Sequence, residues 1–213
     1  MTNVLIIGDS IAYGIDDETG NGWAGYLREK LKPFFPGKFR FYNRGIGMDS
    51  SIDVQHRLGS EIAAIQPDYI FIAVGVNDTQ ILLPGKEQSF SLLRSSRTWH
   101  KILAIASSTK AKVIIISPLP VDDTSPVIVK DGDISGVTAV DYKTDRIVEY
   151  CLMLEKACSY YDVKYFDLFS LWQKMDYPRL LPDGLHPNVE GHRIIMDQIF
   201  DLLQQHELLP KIV

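Results

Sequence analysis

The chain has 213 residues, of which 46% are hydrophobic and 23% charged, and a formal net charge of −5. That length suits one domain with a substantial core, and the acidic balance argues against nucleic acid as a partner, since no basic stripe is present to displace counterions from phosphates. No apolar stretch approaches the ~20 residues needed to span a bilayer. The opening Met1-Thr2-Asn3 runs straight into a strand, without the charged and apolar regions of a secretory signal, so a cytoplasmic location is expected.

The first apolar run, Val4-Leu5-Ile6-Ile7 within a strand expected over 3–8, ends on Gly8-Asp9-Ser10. A serine there sits where a buried strand stops and the chain turns outward, the place where open α/β sheets bind ligands. A helix is expected over 23–32, then a second strand over 39–43 followed by Asn43-Arg44-Gly45, whose glycine would let its backbone N–H approach a substrate closely. A helix over 51–65 leads to a third strand over 69–75. It closes on Gly75-Val76-Asn77-Asp78, and a polar Asn77 at the end of so apolar a run could donate to an oxyanion without carrying charge.

A helix over 88–108 precedes a fourth strand over 112–117. The third and fourth runs lack polar alternation, the mark of central strands covered on both faces. The stretch 118–137, with three prolines and two glycines, reads as an irregular insertion. A helix over 138–161, a fifth strand over 163–168 and an amphipathic helix over 189–206 complete the chain, the last with Asn188 as its expected N-cap. Cys151 and Cys158 would lie about 10 Å apart along one helix; that is too far for a disulfide, and two buried thiols are expected.

Just before the last helix stands Pro182-Asp183-Gly184-Leu185-His186-Pro187-Asn188. Asp183 is placed to bond one imidazole nitrogen of His186 across a tight turn, leaving the other nitrogen for a serine. The remaining histidines, His56, His100, His192 and His206, fall on or at the end of expected helices and have no such carboxylate.

Strands alternating with helices predict a parallel sheet covered on both faces in one domain over 1–213. The set Gly8-Asp9-Ser10, Gly45, Gly75-Val76-Asn77-Asp78 and Asp183-Gly184-Leu185-His186-Pro187 resembles the motif blocks of the SGNH (GDSL-like) hydrolase superfamily, in the same order and across nearly the whole chain. The resemblance implies a flavodoxin-like three-layer α/β/α sandwich with a central five-stranded parallel sheet, and ester hydrolysis through an acyl-enzyme. It implies Ser10 as nucleophile, His186 as base, Asp183 as its orienter, and the Ser10 N–H, Gly45 N–H and Asn77 side chain as oxyanion donors. A small-molecule ester is the expected partner, with neither cofactor nor metal.

Two rival readings use the same residues. A metal-dependent phosphoesterase could ligate two metals with Asp9, Asn77, Asp78 and His186, but should also carry Asp-x-His or paired-His elements, which are missing. A flavodoxin-like module that only binds a ligand would have a loop after strand one richer in Gly, Ser and Thr. Within the hydrolase reading, the acidic loops Asp16-Asp17-Glu18 and Asp122-Asp123 would repel anionic substrates and favour neutral short-chain or carbohydrate acyl esters. Tyr13, Ile46, Met48, Ile81 and Leu82 are candidates for an acyl pocket, with core packing the default.

Overall fold

A computed structural model describes residues 1–83, 87–88, 90–124, 127–128 and 139–210. Five strands, β1 (Thr2–Gly8), β2 (Phe39–Gly45), β3 (Tyr69–Ala73), β6 (Lys112–Ile116) and β9 (Lys164–Phe166), form one parallel sheet in the order β2-β1-β3-β6-β9. Counting these strands alone, the order is 2-1-3-4-5, the flavodoxin-like winding whose switch point lies between the first and third strands. As expected, β3 and β6 are interior, and β1 joins them.

Successive side chains on these strands serve opposite faces. Val4, Ile6, Phe71 and Ile114 pack with Trp23, Leu27, Ile195 and Ile199 of α2 (Gly22–Leu31) and α7 (Val189–Gln205). Leu5, Ile7, Ile70, Ile72 and Ile115 pack with Val54, Leu58, Trp99, Ile102 and Leu154 of α3 (Ser51–Ile65), α4 (Leu92–Ser107) and α5 (Thr144–Tyr160). Burial on both faces explains why the interior strands β1, β3 and β6 read as apolar runs, whereas the edge strand β2 carries exposed Arg40, Asn43 and Arg44. Both cysteines lie buried and free on α5.

Register fixes where the strand ends fall. Gly8 pairs with Gly45 on one side and Ala73 on the other, so the chain leaves β1, β2 and β3 along one edge. A Cβ on Gly8 would lie 1.9 Å from the carbonyl oxygen of Ala73, so the close strand approach admits only glycine.

Several boundaries differ from the sequence reading. Residues 139–141, expected to begin a helix, form β8 (Ala139–Asp141) in a second sheet of order β5-β4-β8-β7, with β4 at Ile81–Leu83, β5 at Glu87–Gln88 and β7 at Val127–Ile128. Helix α5 starts only at Thr144, where the Asp123 carboxylate accepts from both its N–H and its hydroxyl. Helix α4 starts at Leu92, capped by Ser91, rather than at 88. The fifth strand ends at Phe166, because Asp167 caps a short helix α6 (Leu168–Trp172). Most of the insertion at 118–137 lies outside the described residues. Among the described residues, no helix is long and apolar enough to cross a membrane.

Candidate active site

Ser10 opens the one-turn helix α1 (Ser10–Tyr13), which forms because the Asp9 side chain accepts from the N–H groups of Ile11 and Ala12. As the first helical residue, Ser10 has no intrahelical acceptor for its own N–H. Its Oγ lies 2.9 Å from His186 Nε2, and His186 Nδ1 lies 2.6 Å from Asp183 Oδ2. The other Asp183 oxygen accepts from the N–H groups of Leu185 and His186, locking the turn that presents the ring. Asn188 caps α7 through Gly191 N–H, fixing where this turn ends.

This arrangement can move a proton from Ser10 to an imidazole held in one tautomer. Burial opposes protonation of His186, but the Asp183 hydrogen bond and charge, with smaller help from Asp16 and Asp9, outweigh it and raise its pKa above the usual histidine value. Burial alone would raise Asp183, yet the bonds from His186 and Leu185 bring it down to about 2. Burial pushes Asp9 up to about 7 against its two backbone hydrogen bonds, and Asp78 up to about 6.

Asn77 does not end β3. It lies on a 3-10 turn, Val76–Thr79, separated from the end of β3 at Ala73 by Val74 and Gly75. Its Nδ2 donates to Asp49 O at 2.9 Å and keeps a second N–H, while its Oδ1 accepts from Gln80 Nε2 and the Tyr142 hydroxyl. The neighbouring Asp78 accepts from Ser51 N–H and from the Ser51 and Ser95 hydroxyls, tying the turn to α3 and α4.

Gly45 departs from expectation. Its N–H donates to Asn43 Oδ1 at 2.9 Å, so it can reach a substrate only by giving up that bond. Asn43 Nδ2 in turn donates to Ala12 O, and a Cβ on Gly45 would lie 2.3 Å from Tyr13 N, so the glycine serves close packing of α1 against β2. Tyr13, Ile46 and Met48 are also not core residues; they are 61%, 49% and 51% exposed at the strand ends. His192 is buried, accepting from Trp23 N–H and donating to Ile15 O, which makes it a packing residue.

Of the acidic loops, Asp17 turns inward onto Thr19, Gly22 and Tyr26, and Asp122 and Asp123 hold Thr124 and Thr144. Asp16 and Glu18 stay exposed and line a groove of about 620 Å³ with Pro182, Asn188, Glu190 and Arg193. Asp16, Asp183 and His186 bring potential ligand atoms within 4.8 Å of one another, the one group among the described residues with the makings of a metal site. Two of its three members already bond each other. Sequence reasoning missed Gln80 and Tyr142, since neither belongs to a motif.

The model of the GDSL-like lipase/acylhydrolase family matches residues 6–194, most of the chain. The chain belongs to this family. An acetylxylan esterase of Geobacillus stearothermophilus is 25% identical over 205 residues, 90% of this chain and 89% of that protein. Among solved structures, a lipase/acylhydrolase from Enterococcus faecalis superposes with a TM-score of 0.76 at 20% identity, covering 97% of each chain. The acetyl xylan esterase AlAXEase superposes with a TM-score of 0.75 at 18% identity, covering 94% of this chain and 99% of that one. This GDSL-like hydrolase is a serine-dependent carboxylic ester hydrolase with the three-layer α/β fold of its relatives, and neither the phosphoesterase nor the binding-module reading is favoured.

Asp183→Asn gives a pH prediction for this hydrolase. A base must be neutral to accept a proton, so with His186 in the role expected of it kcat/KM should fall as pH drops through the His186 pKa, which Asp183 holds above the usual value. Removing the charge leaves burial to depress that pKa. The acid limb of the variant's pH–kcat/KM profile should therefore move to lower pH, beneath a much lower plateau. An unmoved limb would mean that Asp183 does not set the charge state of His186.

Proposed function

We propose that this hydrolase, acting as one domain over 1–213, removes short acyl groups, acetyl above all, from neutral carbohydrate esters. Ser10 is the nucleophile and His186 takes its proton, held in one tautomer by Asp183. The resulting alkoxide attacks the ester carbonyl. The tetrahedral oxyanion is met by the Ser10 N–H and the second N–H of Asn77 Nδ2, and by the Gly45 N–H only if its bond to Asn43 is released. Collapse expels the sugar alcohol with the proton from His186. Water activated by the same imidazole then frees the acid and restores Ser10.

The observation that carries this reading is the unbroken chain Ser10 Oγ to His186 Nε2 and His186 Nδ1 to Asp183 Oδ2. The substrate class is supported by the groove beside His186, whose carboxylates and guanidinium suit sugar hydroxyls, and by the name of the Geobacillus relative. Two free thiols in the core suit a reducing, cytoplasmic compartment, and the net charge of −5 offers nothing to nucleic acid.

The test compares acetylated xylo-oligosaccharides, p-nitrophenyl esters of rising acyl length and an acyl-CoA, at low and high salt. The proposal predicts the highest kcat/KM for acetyl groups on sugar, with discrimination against acyl-CoA that weakens as salt rises. A preference for long acyl chains, or equal use of acyl-CoA at both salt concentrations, would overturn the substrate assignment.

A further inference from the structure

We propose that Tyr142, delivered by the second sheet, is a positioning residue for oxyanion stabilisation: its hydroxyl fixes the orientation of the Asn77 amide. This rests on the reading of Asn77 as an oxyanion donor.

A primary amide presents a carbonyl on one side and an NH2 on the other, and only the NH2 can stabilise an oxyanion. Which end faces the substrate is therefore a structural choice. Three side chains close a buried triangle around Asn77. The Tyr142 hydroxyl donates to Asn77 Oδ1 at 3.1 Å, Gln80 Nε2 donates to the same oxygen at 3.0 Å, and Gln80 Nε2 also donates to the Tyr142 hydroxyl at 2.9 Å. Asn77, Gln80 and Tyr142 are all buried, only 4%, 5% and 4% exposed, so a lost partner leaves a polar atom unsatisfied away from solvent.

On the opposite side, Asp49 O can only accept, and it takes one N–H of Nδ2. With both Oδ1 sites occupied by donors and one Nδ2 hydrogen fixed on Asp49, the second Nδ2 hydrogen is left in a single orientation. A flipped amide would set NH2 against the Gln80 NH2 and the carbonyl oxygen against Asp49 O, two repulsive contacts, and would leave the Tyr142 hydroxyl, already accepting from Gln80 Nε2, without the Asn77 acceptor for its own hydrogen. Burial raises the Tyr142 pKa, so its hydroxyl remains a donor throughout the working pH range.

The source of Tyr142 matters. It follows directly on β8, whose antiparallel pairing with β4 brings residues 81–83 against 139–141. Gln80 stands immediately before β4. The second sheet thus holds both donors of the triangle at its start and finish, linking an excursion outside the five-stranded sheet to the reacting atoms.

The experiment is a double-mutant cycle with Tyr142→Phe and Asn77→Ala, with kcat expressed per site titrated by a fluorophosphonate so that any misfolded fraction drops out. Tyr142→Phe should lower kcat roughly 10-fold and leave KM within about twofold, because the misplaced N–H is missed only in the transition state. In the Asn77→Ala background, the same change should lower kcat no further. Gln80→Met should follow the same pattern, and it carries the test if Tyr142→Phe does not fold. An equal loss in both backgrounds, an unchanged kcat, or an effect confined to KM would overturn the positioning role. A silent Asn77→Ala would instead remove the oxyanion reading beneath it.

Discussion

His186→Ala should lower kcat by roughly 10⁴-fold or more while leaving the fold intact. The serine hydroxyl is a poor nucleophile at neutral pH, and in the proposed mechanism the bond from Ser10 Oγ to Nε2 is the route for its proton. His186 is 15% exposed at its side chain and lies on a turn held by backbone bonds to Asp183. The turn should survive the change, since those bonds come from the N–H groups of residues 185 and 186 rather than from the ring. Ser10→Ala should cost about as much, and the double variant no more than either single one, because the pair acts as a unit. Steady-state kinetics on p-nitrophenyl acetate, with thermal unfolding alongside, measures both; additive losses would show that serine and histidine act separately.

Asn77→Ala should lower kcat about 10²- to 10³-fold, the loss typical of an oxyanion donor. The side chain also bridges Asp49, Gln80 and Tyr142, so some loss of thermal stability should accompany it. Asn77→Asp keeps the shape and the acceptor for Gln80 and Tyr142, exchanges the bond to Asp49 O for a repulsive contact, and sets negative charge where the proposed oxyanion develops, so it should be at least as slow as alanine. An Asn77→Asp variant near the wild-type rate would exclude the donor role.

The interior strands β1, β3 and β6 are legible because each is a short run of β-branched and other apolar residues buried on two faces, while the edge strands β2 and β9 are marked by aromatics beside the exposed Arg40 and Lys164. Ser10, Asp183 and His186 stand out in the sequence because each lies at a strand end or a helix entry, where polar residues interrupt apolar runs, whereas Asn77 falls on a 3-10 turn past the end of β3 that the apolar run does not foretell. The second sheet is not legible: β4 and β8 have three residues each, and their pairing joins positions some 60 residues apart. Nothing local marks Tyr142 either, since its role depends on that pairing. The Gly45 N–H had a readable signal. An asparagine two residues before an N–H is the pattern of an Asx turn, and Asn43 makes that bond. The late start of α5 depends on Asp123, a cap from a different loop that periodicity along 138–161 does not reveal.

The most direct test of covalent catalysis at Ser10 is labelling of the active enzyme with a fluorophosphonate, read by mass spectrometry of its peptides. The account predicts stoichiometric modification on Ser10, lost in Ser10→Ala and strongly slowed in His186→Ala. Modification of another residue, or full activity in a preparation whose Ser10 is blocked, would contradict it.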